Sequence, residues 1–152
     1  MSTQGEGAQG PDLDLEFPPK PEYVRMARLT VAALARLREA DDELVEDIKL
    51  AVSEACTRAV ATNGASAPQE PVELLATVYD RALQVEVLDR GPGPDREVSG
   101  NPQELDTDEL PFDSALAVPL IRGLVDEVGL APRPGGGTRV RMVVSLGSPP
   151  RS

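Results

Sequence analysis

Histidine and tryptophan are absent from this 152-residue chain, and cysteine occurs once. Without histidine there is no Ser-His-Asp or Cys-His nucleophile pair, no imidazole base and no His-ligated zinc; one cysteine excludes a disulfide within the chain. Aromatic residues make up only 3% of the sequence, so any core must be aliphatic, and 40% apolar residues over this length are enough to build one of single-domain size. No apolar stretch approaches the ~20 residues needed to cross a bilayer. The opening MSTQGEGAQGPDLD lacks the basic region and apolar run of a secretory signal, so a cytoplasmic protein without a membrane span is expected.

Positive charge is also scarce. Twenty-six acidic residues against 15 basic ones give a formal charge of −11. Phosphate surfaces repel such a chain at long range, which weighs against direct nucleic-acid or anionic-membrane binding and favours basic protein partners.

Residues 1–12 and 147–152 are small, polar and rich in Gly, Ser or Pro, and read as tails around one folded unit over 13–146. Leu13, Leu15 and Phe17 alternate with acids as on a short strand, which the Pro18, Pro19 and Pro21 cluster ends. A first helix follows, with Pro21 in its first turn and Val24, Ala27, Val31 and Leu34 at helical spacing. A second helix starts near Asp42, carries the stripe Leu44, Ile48, Val52, Ala55 and Ala59, and is expected to end near Asn63 and Gly64.

Two alternating runs, Val72 to Val78 and Leu83 to Val87, read as an antiparallel hairpin. The stretch from Asp89 to Asp113 is rich in Gly, Pro and acid, including Glu97, Glu104, Asp106, Asp108 and Glu109, and has the length of a lid or binding loop. A third helix is expected over about Ala117 to Val128, and Val140, Met142, Val144 and Leu146 form a closing strand. The order implies an α+β two-layer sandwich, with a mixed or antiparallel sheet covered on one face by helices.

Three segments carry residues suited to chemistry. In SEACTRAV, Glu54 sits at the edge of the buried stripe of the second helix, where desolvation would raise its pKa toward that of a useful base. An i, i+4 ion pair with Arg58 on a solvated face, worth about a few tenths of a kcal/mol, is the competing account. In VLDRGPGPD, Asp89 ends a strand and Gly91 and Gly93 follow, placing a carboxylate beside backbone free to take positive φ and approach a ligand. Such a carboxylate can accept a hydrogen bond from an exocyclic amine. In RPGGGTRVRM, three glycines before a strand fit a sharp turn or close approach of a ligand, with a flexible hairpin loop as the competing account.

Taken in order, the helical Glu54, the Asp-x-Gly-x-Gly segment, the lid, the helix and the Gly-Thr strand entry resemble the GHKL fold, the histidine-kinase-like ATPase fold. Within it, PEYVRMAR, DDELVEDIKLAVSEACT, DRGPG, LIRGLVDEV and GGGTRVRM resemble anti-sigma-factor serine kinases of the RsbW and SpoIIAB type over residues 13–146. The resemblance implies Glu54 as general base, Asp89 on the adenine amino group, Gly91 and Gly93 in the adenine-side turn, and Thr138 supporting the base pocket. It further implies ATP as cofactor, a homodimer, a sequestered sigma factor, and phosphorylation of a serine on an STAS-domain antagonist.

Two departures from that pattern bear on chemistry. Where the family has an asparagine that ligates magnesium, this chain has Arg58, and a guanidinium has five donors and no acceptor. It would either contact the phosphates in place of the metal or neutralise Glu54. Asn63, five residues on, is rotated by about 140° around the helix and is a poor substitute. In the lid, Ala115 and Ala117 stand where the family has glycines, and their methyl groups obstruct a phosphate wrap. The adenine half is kept and the phosphate half eroded. The alternative to an ATP-binding kinase and anti-sigma factor is therefore a catalytically inactive module of the same fold acting by partner occupancy alone.

Overall fold

The computed structural model describes residues 10–93, 97–101 and 123–147. Strand β1 (Leu13–Phe17) is followed by a 3-10 turn (Pro21–Tyr23), helices α1 (Val24–Leu37) and α2 (Asp42–Ser66), and the hairpin β2 (Val72–Tyr79) and β3 (Ala82–Leu88). Strands β4 (Val98–Gly100), β5 (Glu127–Pro132) and β6 (Thr138–Ser145) complete it. The sheet order is β1-β2-β3-β6-β5-β4, and every pairing among the described residues is antiparallel, which resolves the mixed-or-antiparallel expectation.

Local chemistry explains the helix boundaries. Pro21 opens the 3-10 turn that leads into α1, since its missing N–H costs nothing in a first turn. The α1 backbone ends at Arg38, and Glu39 takes φ +66°. Asp41 caps α2, its side chain accepting the Leu44 N–H at 2.8 Å, and Asp42 and Glu43 complement the positive end of the helix dipole. Helix α2 runs two residues beyond the expected stop at Gly64 and ends at Ser66, where the Ala67 N–H closes on the Asn63 carbonyl.

Alternation places the core. Val72, Leu74 and Ala76 of β2, Leu83, Val85 and Val87 of β3, and Val140, Met142 and Val144 of β6 are all buried on one face. Helix α2 covers that face with Ile48, Val52, Ala55, Cys56 and Ala59, and α1 packs on α2 through Ala27, Val31, Ala32 and Ala35. Phe17 is the one aromatic side chain in this buried set, as the shortage of aromatics implies. The opposite face carries Glu73, Glu86 and Glu127, paired with Arg133, Arg139 and Arg141 at 2.7–3.1 Å.

The expected third helix over Ala117 to Val128 is corrected at its C-terminal end. Gly123 takes φ +64°, and from Glu127 the chain is strand β5, with Val128 opposite Met142 and Leu130 opposite Val140. Pairing with β6 buries Val128 and Leu130 against the core and overrides the helical spacing of Leu124, Val125 and Val128. Residues 117–122 lie outside the described residues. So do Ala115, Glu104, Asp106, Asp108 and Glu109; the described part of the expected lid includes β4 and the exposed Glu97.

Arg81, at the β2–β3 turn, ties distant backbone together. Its Nε donates to the Gly147 carbonyl at 2.8 Å, Nη1 to Arg38 at 2.9 Å and Nη2 to Leu146 at 3.2 Å, joining the end of α1 to the end of β6. Arg81→Ala is expected to cost about 1–2 kcal/mol of stability, read as a lower chemical-denaturation midpoint with unchanged slope. Cys56 is fully buried, and burial pushes its thiol up from 9.0 to about 12. The unfolded thiol ionises first, so its contribution is intact below pH 9 and is lost as pH rises from 9 toward 12. Folded protein at pH 8 is expected to leave a disulfide reagent unreacted until denaturant is added.

Candidate functional site

The last pair of the β3–β6 ladder organises the site. Asp89 N–H donates to the Thr138 carbonyl at 3.0 Å, continuing the strand register, and the Thr138 N–H returns to the Asp89 side chain, Oδ1, at 3.2 Å. The Asp89 main-chain carbonyl, set free by that exchange, accepts from Arg133 Nη1 at 2.9 Å. Oδ1 also takes the Gly91 N–H at 3.0 Å, so the carboxylate holds the turn that follows it.

The remaining oxygen belongs to Arg58. Its Nη1 donates to Asp89 Oδ2 at 2.6 Å, with Arg58 5% exposed and Asp89 0%. Sequence reasoning weighed Arg58 against Glu54 and against phosphates; the structure brings it to Asp89. The long side chain spans from the α2 face to the end of β3, which α2 covers. Removing one partner of such a buried pair leaves a desolvated charge, at a typical cost of about 3–5 kcal/mol. Glu54, one helical turn before Arg58, is half-buried, and among the described residues its side chain makes no hydrogen bond or ion pair.

The glycines act on the chain's own backbone. Gly91 and Gly93 do not take positive φ, which corrects the expectation for them. A Cβ on Gly91 would strike Thr62 Cγ2, and one on Gly93 would strike the Gly137 carbonyl oxygen. Gly135, Gly136 and Gly137 do take positive φ, at +86°, +105° and +117°, and a Cβ on Gly137 would strike the Asp89 carbonyl oxygen. The triple glycine is a sharp turn, and what comes close to it is the protein's own Asp89 segment. Thr138 is fully buried, and its hydroxyl donates to the Pro92 carbonyl at 3.4 Å.

Three residues missed from the sequence brace this arrangement. Asn63 is fully buried: its Oδ1 accepts the Arg90 N–H at 2.7 Å and its Nδ2 donates to the Glu70 and Pro71 carbonyls at 3.1 and 3.2 Å. Arg90 Nη1 reaches the Gly136 carbonyl at 3.1 Å. Arg133 joins the Asp89 carbonyl to Glu73 Oε1, the latter at 3.1 Å. Arginines flanking both glycine-rich turns were the available signal.

These donors and acceptors decide what the site can hold. A carboxylate accepts about four hydrogen bonds; three donors occupy Asp89, two on Oδ1 and Arg58 on Oδ2, so its remaining acceptor capacity is on Oδ2. With Asp89 0% exposed and Arg58 over that oxygen, a further donor reaches it only where the pair opens. For a metal, Arg58 is donor-only, the Asn63 amide is engaged with Arg90, Glu70 and Pro71, and no group of three or more His, Cys, Asp or Glu among the described residues could hold an ion by itself. Nor is any helix among these residues long and apolar enough to cross a membrane.

The sequence is similar to proteins of known family. The model of the histidine kinase-like ATPase domain matches residues 17–144. The chain is 36% identical over 124 residues to the serine-protein kinase RsbW of Listeria monocytogenes, covering 78% of each. It is 34% identical over 122 residues to RsbW of Bacillus pumilus, covering 76% of this chain and 75% of that one. It is 30% identical over 131 residues to the anti-sigma F factor of Clostridium acetobutylicum, covering 86% and 90%. With a strand-end carboxylate anchoring a glycine turn against a second glycine turn, and these matches across most of its length, the chain belongs to the histidine kinase-like ATPase family, alongside anti-sigma-factor serine kinases.

Proposed function

We propose that this chain is a cytoplasmic anti-sigma factor that sequesters a sigma factor and binds ATP, with the adenine amino group donating to Asp89 Oδ2. The observation that carries the reading is the buried Asp89 carboxylate, held in register by the Gly91 and Thr138 N–H groups, in a chain similar to RsbW and anti-sigma F factor. Gly91, Gly93 and Thr138 shape the base end of the site through the close packing of the two turns. The formal charge of −11 favours encounter with a basic protein face, and a second copy of the chain completes a homodimer.

In the kinase form of this reading, Glu54 takes the proton of a serine hydroxyl on an STAS-domain antagonist as that oxygen attacks the γ-phosphorus and ADP leaves. Its carboxylate has no competing partner among the described residues, which suits a base. A second reading, an inactive module of the same fold that acts by occupancy, is favoured by one observation: Arg58, a donor-only guanidinium bound to Asp89, stands at the position where the resemblance implies a metal-ligating asparagine. Phosphoryl transfer depends almost wholly on positioning and on stabilising charge, so losing the metal costs orders of magnitude in rate while leaving partner binding intact.

The adenine assignment expects Asp89→Asn, checked as folded by circular dichroism, to weaken ATP binding by about tenfold or more in calorimetry, or about 1.4 kcal/mol; unchanged affinity would refute it. Between the two readings, purified protein with labelled ATP, magnesium and an STAS-domain antagonist decides. The kinase form expects label on serine that Glu54→Gln abolishes. A stable complex with a sigma factor in co-purification, with no label transferred, selects the occupancy form.

A further inference from the structure

We propose that Arg58 is a built-in competitor for the nucleotide base: it occupies the Asp89 oxygen that a purine amino group would use, and so sets the affinity of the site. The inference rests on the adenine reading above and adds to it the residue that opposes binding.

The argument follows from which donors can leave. The two donors on Oδ1 are backbone N–H groups of Gly91 and Thr138, fixed by the pairing of Thr138 with Pro132 of β5, by the Asp89 N–H bond to the Thr138 carbonyl and by the packing of Gly93 on Gly137, so neither can move away without disturbing both turns. The donor on Oδ2 is the end of a side chain with rotatable bonds, and its leaving requires no change in the backbone. An incoming amino group therefore meets Arg58 at Asp89.

The competition is unequal. Arg58 brings a charge-assisted bond of 2.6 Å between groups 5% and 0% exposed, whereas a neutral amine brings an ordinary hydrogen bond. The purine-competent state is the fraction of molecules in which the pair is open, and observed affinity falls in proportion to that fraction. An asparagine at the same position, too short to reach as far as a guanidinium and uncharged, would not hold the pair closed. The chain thus keeps its nucleotide-site turns ordered with its own cation in the socket, so that their order does not wait on nucleotide.

The test is calorimetric titration of ATP in EDTA into the full chain and into Arg58→Asn, each shown to be folded by its thermal melt. The expected result is binding about tenfold tighter or more in the variant, with the gain removed when Asp89→Asn is added. Should Arg58→Asn not fold, Arg58→Gln, which keeps a longer reach and an N–H donor, takes its place. Equal or weaker binding by a folded variant, against measurable binding by the parent, overturns the competitor and leaves the adenine reading standing. No binding by parent or variants at millimolar ATP overturns the adenine reading and the competitor with it.

Discussion

A carboxylate without exposure to water is tolerable only where donors surround it, and at Asp89 they come from three separate parts of the chain: Arg58 of α2, Gly91 of the following turn and Thr138 at the start of β6. Each is held elsewhere as well. Arg58 is anchored by a helix whose face is core, Thr138 by its pairing with Pro132 of β5, and Gly91 by contact with Thr62 on the same helix as Arg58. The carboxylate therefore does for this corner what a hydrophobic cluster does for the rest of the molecule: it fixes α2, β3 and β6 relative to one another. The arginines around it work in the same sense, since Arg90 and Arg133 bind main-chain carbonyls of the opposite turn and Arg133 also reaches Glu73 of β2.

Much of this was legible from residue pattern, and the failures have physical causes. Period-two alternation located β1, β2, β3 and β6, and the Leu44 to Ala59 stripe located α2, because in each case one face is buried and the other is not. Strand β5 was illegible. Glu-Val-Gly-Leu-Ala-Pro has no clean alternation, since Gly129 is buried under the Arg141 guanidinium while its neighbours Val128 and Leu130 are also buried. The same valine and leucine, preceded by Leu124 and Val125, complete a helical spacing in one dimension that pairing with β6 defeats in three. β4, three residues long, carries too few side chains for any period to show.

At the site, Asp89, Gly91, Gly93 and Thr138 are brought together as the motif order implied, though for a different reason at the glycines. Their lack of a side chain serves contact between two turns of the protein rather than unusual φ at Gly91 and Gly93. The destination of Arg58 was beyond sequence reasoning, because helical spacing ranks neighbours on the helix and is silent about what lies across the sheet. Glu54, one turn away, was the natural partner by spacing; Asp89, 31 residues along the chain, is the partner by burial. An exposed pair at i, i+4 gains little, whereas a desolvated carboxylate left without a cation is penalised heavily, so the long side chain goes where the larger penalty is avoided.

The same comparison bears on how one fold separates holding a partner from moving a phosphate. Loop order depends on the hydrogen bonds from the Gly91 and Thr138 N–H groups to Asp89, neither of which involves position 58. A guanidinium at position 58 supplies donors and no acceptor for a metal. A single side chain on α2 thus bears on both, because the cation that cannot ligate metal is the one that neutralises Asp89 and ties α2 to the turn beyond β3. The chain stays strongly acidic whichever residue stands at position 58, since its formal charge is −11 with the arginine in place.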